Sequence, residues 1–163
     1  MCIRDRIKGN ITEVKRLLNA DANLELKDQN GYTSLMHAVK QQDPKIVKIL
    51  TEFGAIVNIT DYLEDTPLVW ASSMNNTEIV KILLENGANP DKGNFTPLMW
   101  AAFHGNVQML KLFLEFRANL NSRTREGWTA LMGLQRGVTF RQCGNCLGVE
   151  QELICKITMD RLL

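Results

Sequence analysis

Two histidines and a late cluster of cysteines are the residues whose types could carry chemistry beyond packing. His37 and His104 are the only imidazoles in the chain, so acid-base work on nitrogen would have to use them. A proton shuttle needs its groups within hydrogen-bond reach, and these two hold non-equivalent places in the periodic pattern described below, so stacking that pattern does not align them. Cys143 and Cys146 form a CxxC pair, the spacing of half a zinc site or of a redox pair. A four-cysteine zinc site needs a second pair, and no cysteine or histidine follows Cys155. The sequence has no phosphate-binding glycine loop, no zinc-protease His-Glu pair and no nucleophile elbow. It predicts no catalytic residue, no cofactor and no metal ligand. A metal-binding or redox CxxC tail is the disfavoured alternative.

The elements that would position any site are those of a globular protein. The 163 residues are 45% hydrophobic and 23% charged, a composition that can fold. Nineteen basic residues against eighteen acidic ones leave a formal charge of +1, so charge points neither to nucleic acid nor to a cationic partner. No apolar run approaches the roughly 20 residues that span a bilayer, and the first residues lack the apolar stretch of a signal peptide. With three of the four cysteines crowded near one end, the expectation is no membrane insertion, a reducing compartment and a cytoplasmic location.

The organising feature is a repeat. Thr33, Thr66, Thr96 and Thr129 lie 33, 30 and 33 residues apart. Thr33-Ser34-Leu35-Met36-His37-Ala38 returns as Thr66-Pro67-Leu68-Val69-Trp70-Ala71 and as Thr96-Pro97-Leu98-Met99-Trp100-Ala101. A second block follows at Ile46-Val47-Lys48-Ile49-Leu50, Ile79-Val80-Lys81-Ile82-Leu83-Leu84 and Met109-Leu110-Lys111-Leu112-Phe113-Leu114. Threonine caps a helix and proline is tolerated at its first position, so each Thr-Pro-Leu opens a short helix. Asn75 and Gly105 end that helix, and Gly54 and Gly87 end the second, because these residue types can turn left-handed. The pattern predicts helices over 34–41, 46–53, 67–74, 79–86, 97–104 and 107–116. None is long enough to stand alone, so each pair must bury its apolar side on the next.

Thr-Pro-Leu, the Ile-Val-Lys-Ile-Leu-Leu block, Gly87-Ala88-Asn89 and the 33-residue period together resemble the ankyrin-repeat family. The resemblance implies an all-α solenoid of stacked helix-turn-helix units joined by β-hairpin-like turns. It covers residues 7–133, as a partial repeat over 7–29, full repeats over 30–62, 63–92 and 93–125, and a partial one over 126–133. The 30-residue interval places a three-residue deletion in the turn near Asp91-Lys92-Gly93. Asp21 and Arg117 stand where glycine usually ends the second helix.

What the resemblance implies about function is protein binding, not catalysis: partners of the family are met by the turn tips and the adjoining face of the first helices. At the tip directly before each threonine stand Tyr32, Asp65, Phe95 and Trp128. Tyr62 and Leu63 lie in the same turn, and Lys40, Met74, Phe103 and His104 stand at the ends of first helices. Aromatic residues at positions that need no burial are typical interface anchors. The partner surface is therefore expected at these ten residues, with a protein of unknown identity as ligand. For His104, plain solvent exposure is an equal alternative. His37, Trp70 and Trp100 are read as packing residues, and Lys48, Lys81 and Lys111 as a solvated back face. A segment of a larger enzyme or channel is the alternative reading of the whole chain.

Both ends depart from the pattern. Met1-Cys2-Ile3-Arg4-Asp5-Arg6 belongs to no repeat and resembles the translation of a transposase adaptor sequence, so residues 1–6 are expected to be a sequencing scar. Residues 134–163 are expected to be a repeat read in the wrong frame. Offset codons across Gln142 and Cys143 can encode only valine or methionine, and those across Asn145 and Cys146 only leucine. Across Glu150 and Gln151 only threonine or alanine is possible, 33 residues after Ala118, and across Met159 and Asp160 only glycine, 33 after Gly127. On this reading the tail cysteines are by-products of translation and the tail packs poorly.

Overall fold

The computed structural model describes residues 15–16, 18–20, 23–130, 132 and 133. The expectations for the opening hexapeptide, for Asp21 and for residues 134–163 with their CxxC pair lie outside the described residues. The chain divides between Asn89 and Pro90 into two compact units. The first contains α1 (Ser34–Lys40), α2 (Pro44–Glu52), α3 (Pro67–Ser73) and α4 (Thr77–Glu85), and the second contains α5 (Pro97–His104) and α6 (Val107–Glu115). Among the described residues there is no strand, and the expected all-α pairing of helices is what forms.

Thr33 and Thr66 open α1 and α3 as expected, their hydroxyls accepting from the amides of Met36 and Val69. Thr96 does not: it precedes α5 with no side-chain cap bond, and Pro97 alone sets the entry. The second helices need a correction. α2 and α4 start two residues before the predicted 46 and 79, because Asp43 accepts from the amides of Lys45 and Ile46, and Asn76 from that of Ile79. Their first turns, Pro44-Lys45 and Thr77-Glu78, carry none of the large apolar side chains that mark a buried face, so hydrophobic periodicity misses them. Asn106 caps α6 in the same way through Met109.

Left-handed residues end the helices where the sequence asks for them: Asn75 (φ 58°) and Gly105 (φ 63°) after first helices, Gly54 (φ 84°) and Gly87 (φ 81°) after second ones. Arg117 takes φ 55° in the place of a glycine, and Gln42 takes φ 55° after α1. An L-residue held there costs on the order of 1 kcal/mol.

In the first unit α1 packs on α3 and α2 on α4. Leu35, Met36, Leu68, Ile46, Leu50, Ile79 and Leu83 are fully buried between them. Burying such a side chain contributes about 1.5–3 kcal/mol, which is what holds helices of seven to nine residues that could not persist alone. In the second unit α5 packs on α6, and Leu98, Met99, Met109, Leu110 and Phe113 are buried.

Polar side chains add a second link between repeats. Glu25 Oε1 accepts from the Ile56 amide at 2.8 Å, Asn58 Oδ1 from the Asn89 amide at 2.7 Å, and Asp91 Oδ1 from the Asn119 amide at 2.7 Å. Each acceptor stands three residues after the alanine that closes a second block, so the link recurs with the repeat.

Candidate protein-binding surface

The turn tips of the first unit are built on aspartates. Asp28 Oδ1 accepts from the amides of Asn30 at 2.8 Å and Tyr32 at 2.9 Å, while Oδ2 is hydrogen-bonded to His37 Nε2 at 3.0 Å. Asp61 does the same one repeat on: Oδ1 accepts from Leu63 at 2.8 Å and Asp65 at 3.0 Å, and Oδ2 accepts from Trp70 Nε1 at 3.0 Å. Backbone bonds from Asp28 N to Tyr32 O and from Asp61 N to Asp65 O close the turns into the expected hairpin-like shape. Gly31 lets the two turns meet, since a Cβ there would lie 2.8 Å from the backbone nitrogen of Tyr62.

Charge is tuned on the same scaffold. Burial pushes the Asp28 carboxyl up, but the bonds from Tyr32, Asn30 and His37, with the charge of His37, outweigh it and hold its pKa below the ordinary value. Asp65 is raised, first by burial and then by repulsion from Asp61.

These turns present the nominated residues unequally. Tyr62 and Leu63 are the most open, at 68% and 71% exposure. Tyr32 is half-buried, its ring edge-on to His37 and Trp70, both at 5.8 Å between centroids. Lys40 carries its ammonium 4.1 Å from the Tyr32 ring centroid and 4.7 Å from that of Trp70. Asp65 and Met74 are half-buried. His37 and Trp70, read from sequence as packing residues, hold the turns by hydrogen bonds as well.

In the second unit the aromatic residues converge. Phe95 meets Trp100 at 4.8 Å, Phe103 lies edge-on to Trp100 at 6.1 Å, and His104 stacks on Trp100 at 6.0 Å with 22° between planes. Phe103 is exposed, whereas Phe95, His104 and Trp128 are half-buried. Phe95, Trp100, Phe103 and Trp128 border a hollow of about 360 Å³, with Thr124, Glu126 and Gly133 completing its lining. Three of the four aromatic walls were nominated by sequence. Trp100 was read as packing alone, and Thr124, Glu126 and Gly133 were missed. Gly133 had a signal: it lies 33 residues after Trp100, where an indole would be in register.

The deletion leaves a mark here. Asp91 is both three residues after Ala88 and five before Thr96, so one side chain falls on two roles that Asn58 and Asp61 share in the preceding repeat. It accepts from Asn119. Among the described residues, Trp100 Nε1 and Thr96 Oγ1 are buried without a hydrogen-bond partner.

Among the described residues no three His, Cys, Asp or Glu side chains gather as metal ligands, and no helix is long and apolar enough to cross a membrane.

Two family models match the chain, one of ankyrin repeats in three copies over residues 2–94 and one of a single ankyrin repeat over 93–125. Among similar proteins, the human transient receptor potential cation channel subfamily A member 1 is 36% identical over 88 residues, 53% of this chain and 8% of the channel. An ADP-ribosylation factor GTPase-activating protein, AGD2 of Arabidopsis thaliana, is 34% identical over 85 residues, 48% of this chain and 11% of that protein. A putative ankyrin repeat protein of Rickettsia bellii is 34% identical over 82 residues, 48% of this chain and 13% of the other. The chain thus spans 8% to 13% of the length of these relatives. With the repeat recurring in sequence, the helix pairs formed and more than half of the residues matched, the chain belongs to the ankyrin-repeat family.

Proposed function

We propose that the chain binds a partner protein, in the cytoplasm, through two sets of contacts on the concave side of the array, one on each unit. Tyr62, Leu63, Tyr32, Lys40, Asp65 and Met74 form the first set, and Phe95, Phe103, His104 and Trp128 the second. Ankyrin repeats are generally protein-interaction modules. The observation that carries the reading is the pair Tyr62 and Leu63, large apolar side chains left open on a turn that Asp61 fixes with three accepted hydrogen bonds. Exposed apolar side chains on a preorganised backbone favour association, because little conformational entropy is left to lose. The balanced charge favours neither nucleic acid nor a membrane surface, and the chain contributes recognition without turnover.

A photo-crosslinking amino acid placed at Tyr62, and separately at Lys81 on the outer helix α4, tests this in cells of the source. The expected result is one discrete protein adduct from position 62 and none from 81. Equal labelling from both positions would contradict the assigned face. A second reading, a targeting segment of a larger channel or enzyme, is favoured by the names of the relatives and by the small share of them that the chain spans. It keeps the same surface and adds only where the bound partner is delivered.

A further inference from the structure

The hollow of the second unit lies where an indole is missing. Four residues after the capping threonine the chain places His37, Trp70 and Trp100, but after Thr129 it places Gly133. In the first unit Trp70 fills this ground beside Tyr32, donates to Asp61, and shares with Tyr32 the ammonium of Lys40. In the second unit each of these parts has changed. Phe103 stands in register with Lys40, Gly133 with Trp70, and Thr124 with Asp61. Thr124 Oγ1 still accepts from the Trp128 amide at 3.1 Å, so the turn is kept although the carboxylate is gone.

What is left is a space of about 360 Å³ walled by Phe95, Trp100, Phe103 and Trp128, in which Glu126 is the one charged side chain among the described residues. Aromatic faces carry negative electrostatic potential, and a carboxylate beside them adds a full charge. Both attract a cation, as Lys40 shows on the ring of Tyr32, which stands in register with Phe95. Arg123 and Arg125 are exposed in the adjoining turn but do not line the space. A compact ammonium resists leaving water for apolar walls. A guanidinium is flat, more weakly hydrated and able to stack on an indole while pairing with a carboxylate.

We infer that this hollow receives an arginine side chain of the partner protein, stacked among Trp100, Phe103 and Trp128 and paired with Glu126. The inference rests on the protein-binding reading above and names the chemistry that one half of that surface selects. The three indole N–H resonances of the ¹⁵N-labelled full chain give its test, because Trp70 serves as an internal control. Titration with N-acetyl-arginine amide should move Trp100 and Trp128 and leave Trp70 in place. Glu126 is exposed, so Glu126→Gln should weaken the response by about two- to threefold, the scale of an exposed ion pair. Gly133→Trp should abolish it by refilling the space, and Phe103→Lys should do so by supplying the missing internal cation, which keeps the test sound if one variant fails to fold. N-acetyl-lysine amide should bind more weakly. No shift with the arginine amide, or a larger shift with N-acetyl-tryptophan amide that ignores Glu126→Gln, would overturn the inference. If the partner crosslinked at Tyr62 binds Glu126→Gln and Gly133→Trp as it binds the unaltered chain, the arginine site falls while the protein-binding reading stands.

Discussion

Trp70 Nε1 donates to Asp61 Oδ2 at 3.0 Å, tying the first residues of the turn to the helix that follows it. His37 and Asp28 make the same tie one repeat earlier at 3.0 Å, and in the next repeat Trp100 Nε1 has no partner among the described residues. The two tryptophans should therefore respond differently to loss of the ring nitrogen. Trp70→Phe strands a buried acceptor on Asp61 and should cost about 1–2 kcal/mol. Trp100→Phe removes an N–H already without a partner and should cost clearly less. Urea midpoints of the two variants, compared at equal slope, check this, and equal losses would show that the bond at Trp70 adds nothing.

Stability should depend on acid through two aspartates of opposite sign. Asp28 has a depressed folded-state pKa, so its contribution is present above its unfolded pKa and is lost as the pH falls through the folded value, below the ordinary carboxylate range. Asp65 has a raised folded-state pKa, so its ionisation opposes folding at neutral pH and that opposition fades as the pH falls through the raised value. Asp65→Asn should melt higher than the parent at neutral pH, and Asp28→Asn lower. Melting curves taken from neutral pH down to about pH 2 should show both differences shrinking in acid.

Arg117 holds φ 55° at the end of α6, where α2 and α4 are followed by Gly54 and Gly87. Its side chain is exposed, so Arg117→Gly should relieve backbone strain with little packing lost and stabilise the second unit by up to about 1 kcal/mol. Thermal melting with hydrogen exchange at the Leu112 to Ala118 amides would register it. A lower melting temperature would mean that the arginine side chain contributes more than its backbone costs.

How much of this was legible in the sequence differs by residue. The helix pairs follow from apolar spacing, and Thr33, Thr66, Asn75 and Gly105 end or open them as their types dictate. Asp43 and Asn76 escaped because the turns they cap carry no large apolar side chains, and periodicity sees only apolar faces. Gln42 at φ 55° escaped because nothing in a glutamine announces a left-handed backbone that the surrounding packing imposes. Of the candidate surface, the tip residues were visible as types out of place, but their exposure was not. Tyr32 and Tyr62 are the same residue type in adjacent turns, and one lies edge-on between His37 and Trp70 while the other stands open. The hollow was legible only as an absence, the missing aromatic at Gly133, and reading it required knowing that Phe95, Trp100 and Phe103 converge there.

If the open tip formed by Tyr62 and Leu63 contacts a partner protein, the double variant Tyr62→Ala with Leu63→Ala should weaken binding without unfolding the chain. Both side chains are largely exposed and Asp61 holds the turn through backbone amides that the variant retains, so the melting temperature should stay close to that of the parent. Affinity for the crosslinked partner, measured by titration calorimetry, should fall about tenfold or more, the loss expected for truncating interface anchors. Unchanged affinity in a variant that melts like the parent would show that Tyr62 and Leu63 do not contact the partner.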